Sequence, residues 1–469
     1  MTALIAAKAA KKKRPRLSLL AATAVCALAP CLTPSLAHAQ NIPIIRDAEI
    51  EEIMDKDGLP IWEAAGLDAK HVHVVLVGDK DINAFTAGGL TIYVNTGLIQ
   101  QTKNPNQLIG VIAHETGHIA GGHVARDVGG KPALATYLLT MGLGILAAAA
   151  GAPEAAGGLL YSADYFATLT YFGYSRTQEA SADQAAATFL DKAHMSGRGL
   201  VDFFDNFRYE EVFNNARKYR FFQDHPLSSD RIDALHNRVL KSAYYNSVDS
   251  PEALAEHAVV VAKLKAFMNP PQQTFIDYKE TDTSFPARYA RAIAYYRNLE
   301  TDKALRLTDA LLADYPNNPF LWELKGQIYF ESGRPKEAEP AHERSVQLKP
   351  QAPLLQFNLG QTLIAEEDPK KLDEAISHIQ RGLDLEHDNA MGWWLLAQAY
   401  DQKGEPGRAR LATAEQNFSL GQMKDARTFA LQARGLLPRD SSDWRRATDI
   451  VLTSQPSQAE LQAISRQGG

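Results

Sequence analysis

Residues 71–77, HVHVVLV, and residues 90–97, LTIYVNTG, are short runs dense in β-branched and apolar residues. Such runs predict strands. Between them GDKDINAFTAGG is rich in turn residues, so the two strands are expected to pair. The period then lengthens. QLIGVIAHETGHIAGGHVARD, residues 107–127, spaces its apolar positions as a helix does, with Asn106 behind Pro105 as the expected cap. YSRTQEASADQAAATFL, residues 174–190, reads as a second helix. A small sheet leading into long helices predicts an α+β domain, mostly helical, over residues 40–248.

Between those helices, residues 134–173 are unusually apolar. Glycines and Pro153 interrupt the run, so neither half offers the roughly 20 unbroken apolar residues that span a bilayer. A buried hairpin of closely packed helices and a mobile or membrane-facing flap both fit the pattern.

Beyond residue 285 a 34-residue period appears: it separates Pro316 from Pro350, and Gly326 from Gly360. Trp322, Gly326, Tyr329, Gly333 and Ala338 fall at tetratricopeptide positions, and Ala397, Tyr400, Gly404 and Ala409 repeat them. An earlier copy carries Ala292, Tyr295, Ala304 and Pro316; a late, degenerate one carries Ala414, Ala426 and Pro438. Small residues let paired helices cross closely, and the prolines end each second helix. An all-α repeat solenoid is therefore expected over residues 285–440. Residues 249–284 read as a linker whose one helix stops at Pro270 and Pro271. Residues 441–469 form a polar tail able to add a short capping helix.

The first 39 residues are different in kind. Lys8, Lys11, Lys12, Lys13, Arg14 and Arg16 precede the apolar run LSLLAATAVCALAPCL, and SLAHAQ follows. This is the pattern of a secretory signal peptide cleaved before Gln40. Cleavage removes Cys26 and Cys31, so the mature chain has no disulfide and no thiol nucleophile. It also removes six positive charges, taking the formal net charge from -6 to -12. An acidic exported chain is a poor partner for nucleic acid. A bacterial periplasm, with peripheral attachment to the outer membrane, suits it.

The chemistry concentrates in VIAHETGHIAGGH, residues 111–123. Residues four apart on a helix lie about 40° apart in projection, so His114 and His118 share a face. Two such imidazoles can hold one zinc ion, with Glu115 placed to take a proton from its water. Zinc polarises a scissile carbonyl and lowers the pKa of bound water. The third ligand has two candidates. A three-histidine site needs its last histidine at position 124, where Val124 stands; His123 is one residue early and points away if the helix continues. The alternative is Glu179 from the second helix, flanked by alanines that permit close approach. Asp183, four residues on, would accept the free ring N–H of a ligating histidine. The reading taken is zinc at His114, His118 and Glu179. An edge strand such as TIYVN (Thr91, Ile92, Tyr93, Val94, Asn95) is expected to pair with an extended substrate.

VIAHETGHIAGGH, YSRTQEASADQAA and DHPLSSDRI (224–232), in that order, resemble the zinc metallopeptidase family that includes the CAAX prenyl proteases and HtpX. NAFTAGG followed by TIYVNTGLI is similar to that family's strand region. With a signal peptide in front and repeats behind, the resemblance extends over nearly the whole mature chain. It implies a gluzincin fold, one zinc at His114, His118 and Glu179, and catalysis by Glu115. It places the His-Pro loop near the metal, so His225 either stabilises the oxyanion, occupies the open zinc position as a latch, or takes no part. Arg231 is expected to pair with a carboxylate of the fold. The resemblance further implies substrates among misassembled outer-membrane β-barrel proteins, a chaperone-like role in their assembly, and contact of the repeats with the assembly machinery. A latent or non-proteolytic assembly scaffold is the competing reading.

Overall fold

The computed structural model describes residues 43–87, 89–123, 139, 176–208, 225 and 227–454. The expected signal peptide, and all of the apolar segment 134–173 except Leu139, lie outside the described residues.

Strand β1 (Ile44–Ile45) leads into helix α1 (Ala48–Ala65). The Asp47 carboxylate caps α1 by accepting from the backbone N–H of Glu49 and Ile50, and Gly66 closes it in the left-handed region at φ 73°. Three further strands follow: β2 (His73–Val77), β3 (Ala84–Thr86) and β4 (Thr91–Asn95). The sheet order is β1-β2-β4-β3. The two strands read from the pattern do pair, in parallel, with His73 opposite Thr91 and Val77 opposite Asn95. The supposed turn region between them holds β3, which pairs antiparallel with β4 on its other side. Burial alternates along β4, where Ile92 and Val94 are fully buried.

Helices α2 (Thr96–Gln101) and α3 (Pro105–Gly121) follow the sheet. Residues 176–192 form α4, and α5 (Arg198–Asp205) and α6 (Ser229–Val239) complete the first unit. Their apolar faces meet in one core that includes Trp62, Leu76, Ile112, Phe203 and Leu235.

Helix α7 (Pro251–Met268) is followed by α8 (Pro271–Asp277), which Pro270 precedes and Pro271 opens. Helix α7 has two apolar faces. Val260 and Leu264 belong to the core around the sheet, while Val259, Ala262 and Ala266 belong to the first core of the repeats. Between those faces Lys263 is buried and its ammonium lies 2.8 Å from Asp47 and 3.0 Å from Glu49.

The repeats are helical hairpins: α9 (Phe285–Arg297) with α10 (Thr301–Asp314), α11 (Pro319–Glu331) with α12 (Pro335–Leu348), α13 (Pro353–Ala365) with α14 (Leu372–Leu385), and α15 (Ala390–Gln402) with α16 (Pro406–Ser419). A short 3-10 turn, Pro369–Lys371, lengthens the third hairpin and shifts the phase of the fourth. Ala414 lies on α16, and Ala426 lies on α17 (Met423–Leu436), which packs on α16. Helix α18 (Ser442–Thr453) caps the stack, its Arg446 reaching Glu415. Among the described residues no helix is long and apolar enough to cross a membrane.

Candidate metal centre

Helix α3 is anchored at both ends. Asn104, two residues earlier than the expected Asn106, caps it by accepting from the Gln107 N–H, with Pro105 in the first helical position. Asn106 instead ties two elements together, donating to the Ser196 carbonyl and accepting from the Gly199 N–H. At the far end Gly122, at φ 63°, stops the helix. In its middle Gly117 meets α4 so closely that an added Cβ would lie 2.8 Å from the Ala182 carbonyl oxygen. This contact brings His114, Glu115 and His118 against Glu179 and Asp183.

The Nε2 atoms of His114 and His118 lie 3.2 Å apart. Glu179 completes a triangle, with Oε2 3.3 Å from His114 Nε2 and Oε1 3.4 Å from His118 Nε2. Donors of a tetrahedral shell with bonds of about 2.1 Å stand about 3.4 Å apart, so this donor set fits one small divalent cation. His225 joins the cluster: one candidate ligand atom from each of His114, His118, Glu179 and His225 can be chosen so that all lie within 4.8 Å. Its Nδ1 is 3.1 Å from Glu179 Oε1, and its Nε2 is 3.2 Å from the Ala84 carbonyl and 3.5 Å from Glu115 Oε1. All of these side chains are buried, Glu115 completely.

A second layer holds the first. Asp183 Oδ1 lies 3.0 Å from His114 Nδ1, the contact expected from the four-residue spacing. Arg231 donates to both oxygens of Asp183, at 2.8 and 3.0 Å, and its Nη1 lies 3.2 Å from Glu179. Its partner is thus a carboxylate, as its position in the motif suggested.

Burial disfavours charge on every member. It would raise the Glu179 carboxyl, but His225 and His114 hold it well below the usual range. Asp183 behaves likewise, lowered by His114 and Arg231 against the pull of burial. Burial would lower His114, yet Asp183 and Glu179 hold it up at about 10. Burial and the neighbouring His114 push His118 down to about 2. Glu179 therefore sets negative charge on the Nε2 side of the triangle, while Asp183 faces His114 Nδ1 from behind. A divalent cation and the proton on His114 compete for that charge.

Residues 45–239 match Peptidase family M48, and residues 289–353 match a tetratricopeptide repeat. This chain carries an M48 peptidase domain. The beta-barrel assembly-enhancing protease of Yersinia pestis is 22% identical over 389 residues, covering 82% of this chain and 79% of its own length. The protein of the same name from Escherichia coli K12 has the same identity and coverage. Metalloprotease LoiP of Escherichia coli K12 is 32% identical over 162 residues, covering 34% of this chain and 60% of its own length. The chain is a metalloprotease, with its M48 domain followed by repeats.

Two expectations about the M48 domain change. Thr91 to Asn95 do not form an edge: β4 is bonded on one side to β2 and on the other to β3. The strand hidden among turn residues, only three residues long, covers it. His123 does not point away, because α3 ends at Gly122; its Nδ1 sits 3.0 Å from His118 Nδ1. The Gly-Gly pair before His123 was the available signal for that break.

Proposed function

We propose that this chain is a zinc endopeptidase, exported to the periplasm, that removes misassembled outer-membrane β-barrel proteins and assists their assembly. The observation that carries the reading is the triangle of His114, His118 and Glu179 donors spaced 3.2–3.4 Å apart beside Glu115. Zinc bound there would supply Lewis acidity to a scissile carbonyl and acidify water. His114, His118 and Glu179 would hold it, and Asp183 would fix the His114 ring with Nε2 facing inward. Glu115 takes the proton of the attacking water and returns it to the leaving amine. Extended substrate would add to the outer edge of β3, whose residue Ala84 already faces His225 through its carbonyl.

The names of the relatives support the substrate class, and the acidic, repeat-bearing architecture supports protein partners. A groove of about 720 Å³ between β1 and the inner helices of the repeats, walled by Arg46, Phe320, Glu323, Leu354 and Met391, offers a place for a polypeptide segment.

The test compares wild type with Glu115→Gln on an unfolded outer-membrane barrel protein, with zinc content measured for both. Zinc retained by both, and a cleavage rate lower by about 10²–10⁴ in the variant, is expected. Equal cleavage would reject Glu115 as the base. Zinc in both and cleavage by neither would favour the second reading, a latent enzyme or assembly scaffold. The position of His225 among the ligand atoms is what recommends that alternative.

A further inference from the structure

A histidine that ligates a metal through one ring nitrogen carries its hydrogen on the other, and the partner of that hydrogen orients the ring. For His114 the partner is Asp183, backed by Arg231. His118 is served differently. Its Nδ1 lies 3.0 Å from Nδ1 of His123, the two rings meeting edge to face with centroids 5.0 Å apart. With His118 Nε2 given to a metal beside Glu179, its hydrogen would sit on Nδ1, and His123 Nδ1 is the atom placed to accept it.

The backbone is built for this contact. Residues five apart on a continuous helix would lie about 140° apart in projection, out of each other's reach. Gly122, in the left-handed region, ends the helix and turns His123 back. Gly121 leaves room for the ring, since an added Cβ there would stand 2.5 Å from His123 Nε2.

We infer that His123 is a positioning residue of the metal site, accepting the Nδ1–H of His118 and so holding its Nε2 toward the metal. This rests on the reading of His118 as a ligand. It makes the two histidines unlike: His114 is backed by a carboxylate and a guanidinium, His118 by a neutral imidazole. A carboxylate raises the basicity of the ring it holds more than an imidazole does, so His118 is the softer attachment.

The experiment uses the full chain stripped with EDTA, then titrated with zinc against a competing chelator, and separately with cobalt to read its visible spectrum. His123→Leu removes the acceptor and keeps bulk. His123→Asn restores an acceptor, because its Oδ1 is as many bonds from Cα as histidine Nδ1. Zinc affinity is expected to fall about 10- to 100-fold in the leucine variant, with an altered cobalt spectrum, and to return to within about threefold in the asparagine variant. Wild-type affinity in His123→Leu overturns the inference, and so does equal loss in both variants, which would mean packing alone. Gly121→Ala, which displaces the ring but keeps the residue, guards against misfolding; it too must weaken zinc binding, and wild-type affinity there overturns the proposal. A wild-type chain that binds no metal sinks the ligand reading itself.

Discussion

His225 faces Glu179 with one ring nitrogen and Glu115 with the other, which puts its imidazole among the candidate ligand atoms. Burial would lower its pKa, but Glu179 and Glu115 reverse that and raise it. We expect His225→Ala to keep its metal and to cleave an unfolded protein severalfold faster, measured as kcat/KM. A rate lower by about a hundredfold would make His225 an oxyanion stabiliser instead, and an unchanged rate would reject both roles. At this scale much of the site was legible. Two histidines four apart on an apolar helix, and two acids four apart on an alanine-rich one, are periodic signals that survive translation into space. His123 was misread because projection assumes an unbroken helix, and a single left-handed glycine breaks that assumption.

Helix pairs show where spacing informs and where it misleads. The 34-residue period marked the hairpins because Gly326 must be small: a Cβ there would collide with the ring of His342 on the facing helix. That ring is buried, its Nδ1 2.8 Å from Thr362 Oγ1, and burial holds its pKa down at about 4. A depressed base has a definite sign. The unfolded chain takes up the proton near pH 6.5 while the folded one refuses it, so stability is complete above 6.5 and falls as pH drops toward 4. About 2 kcal/mol should be gone by pH 5. Thermal midpoints of wild type and His342→Gln between pH 7.5 and 5 would show it: the wild type should lose more, and parallel curves would remove His342 as the cause. The short strand β3 lay beyond such reasoning. Three residues among glycines and aspartates carry no usable period, and only pairing with β4 makes them a strand.

In the molecule as a whole, peptidase and repeats are tied through charge as well as apolar surface. Arg46 forms paired contacts with Glu386, and Lys349 reaches Glu52 at 2.6 Å; both are partly exposed and worth little alone. The buried Lys263 is different. Burial would lower its pKa, yet Asp47, Tyr289 and Glu49 raise it well above the ordinary value. Burial also raises Glu49, and Lys263 is the charge that opposes the rise. Lys263→Met would leave those carboxylates without their cation. Removing one partner of such a pair costs about 3–5 kcal/mol, so a lower thermal midpoint for the full chain is expected. An unchanged midpoint would show that the junction tolerates the loss.

Helix α7 makes the border between the two parts a convention of the gene rather than of the fold. A chain cut after residue 248 strips Val260 and Leu264 from the peptidase core, while one cut after 284 leaves Val259, Ala262 and Ala266 bare. Either fragment would carry an adhesive stripe, and swapping repeats between related enzymes would succeed only when this helix travels with matching partners on both sides.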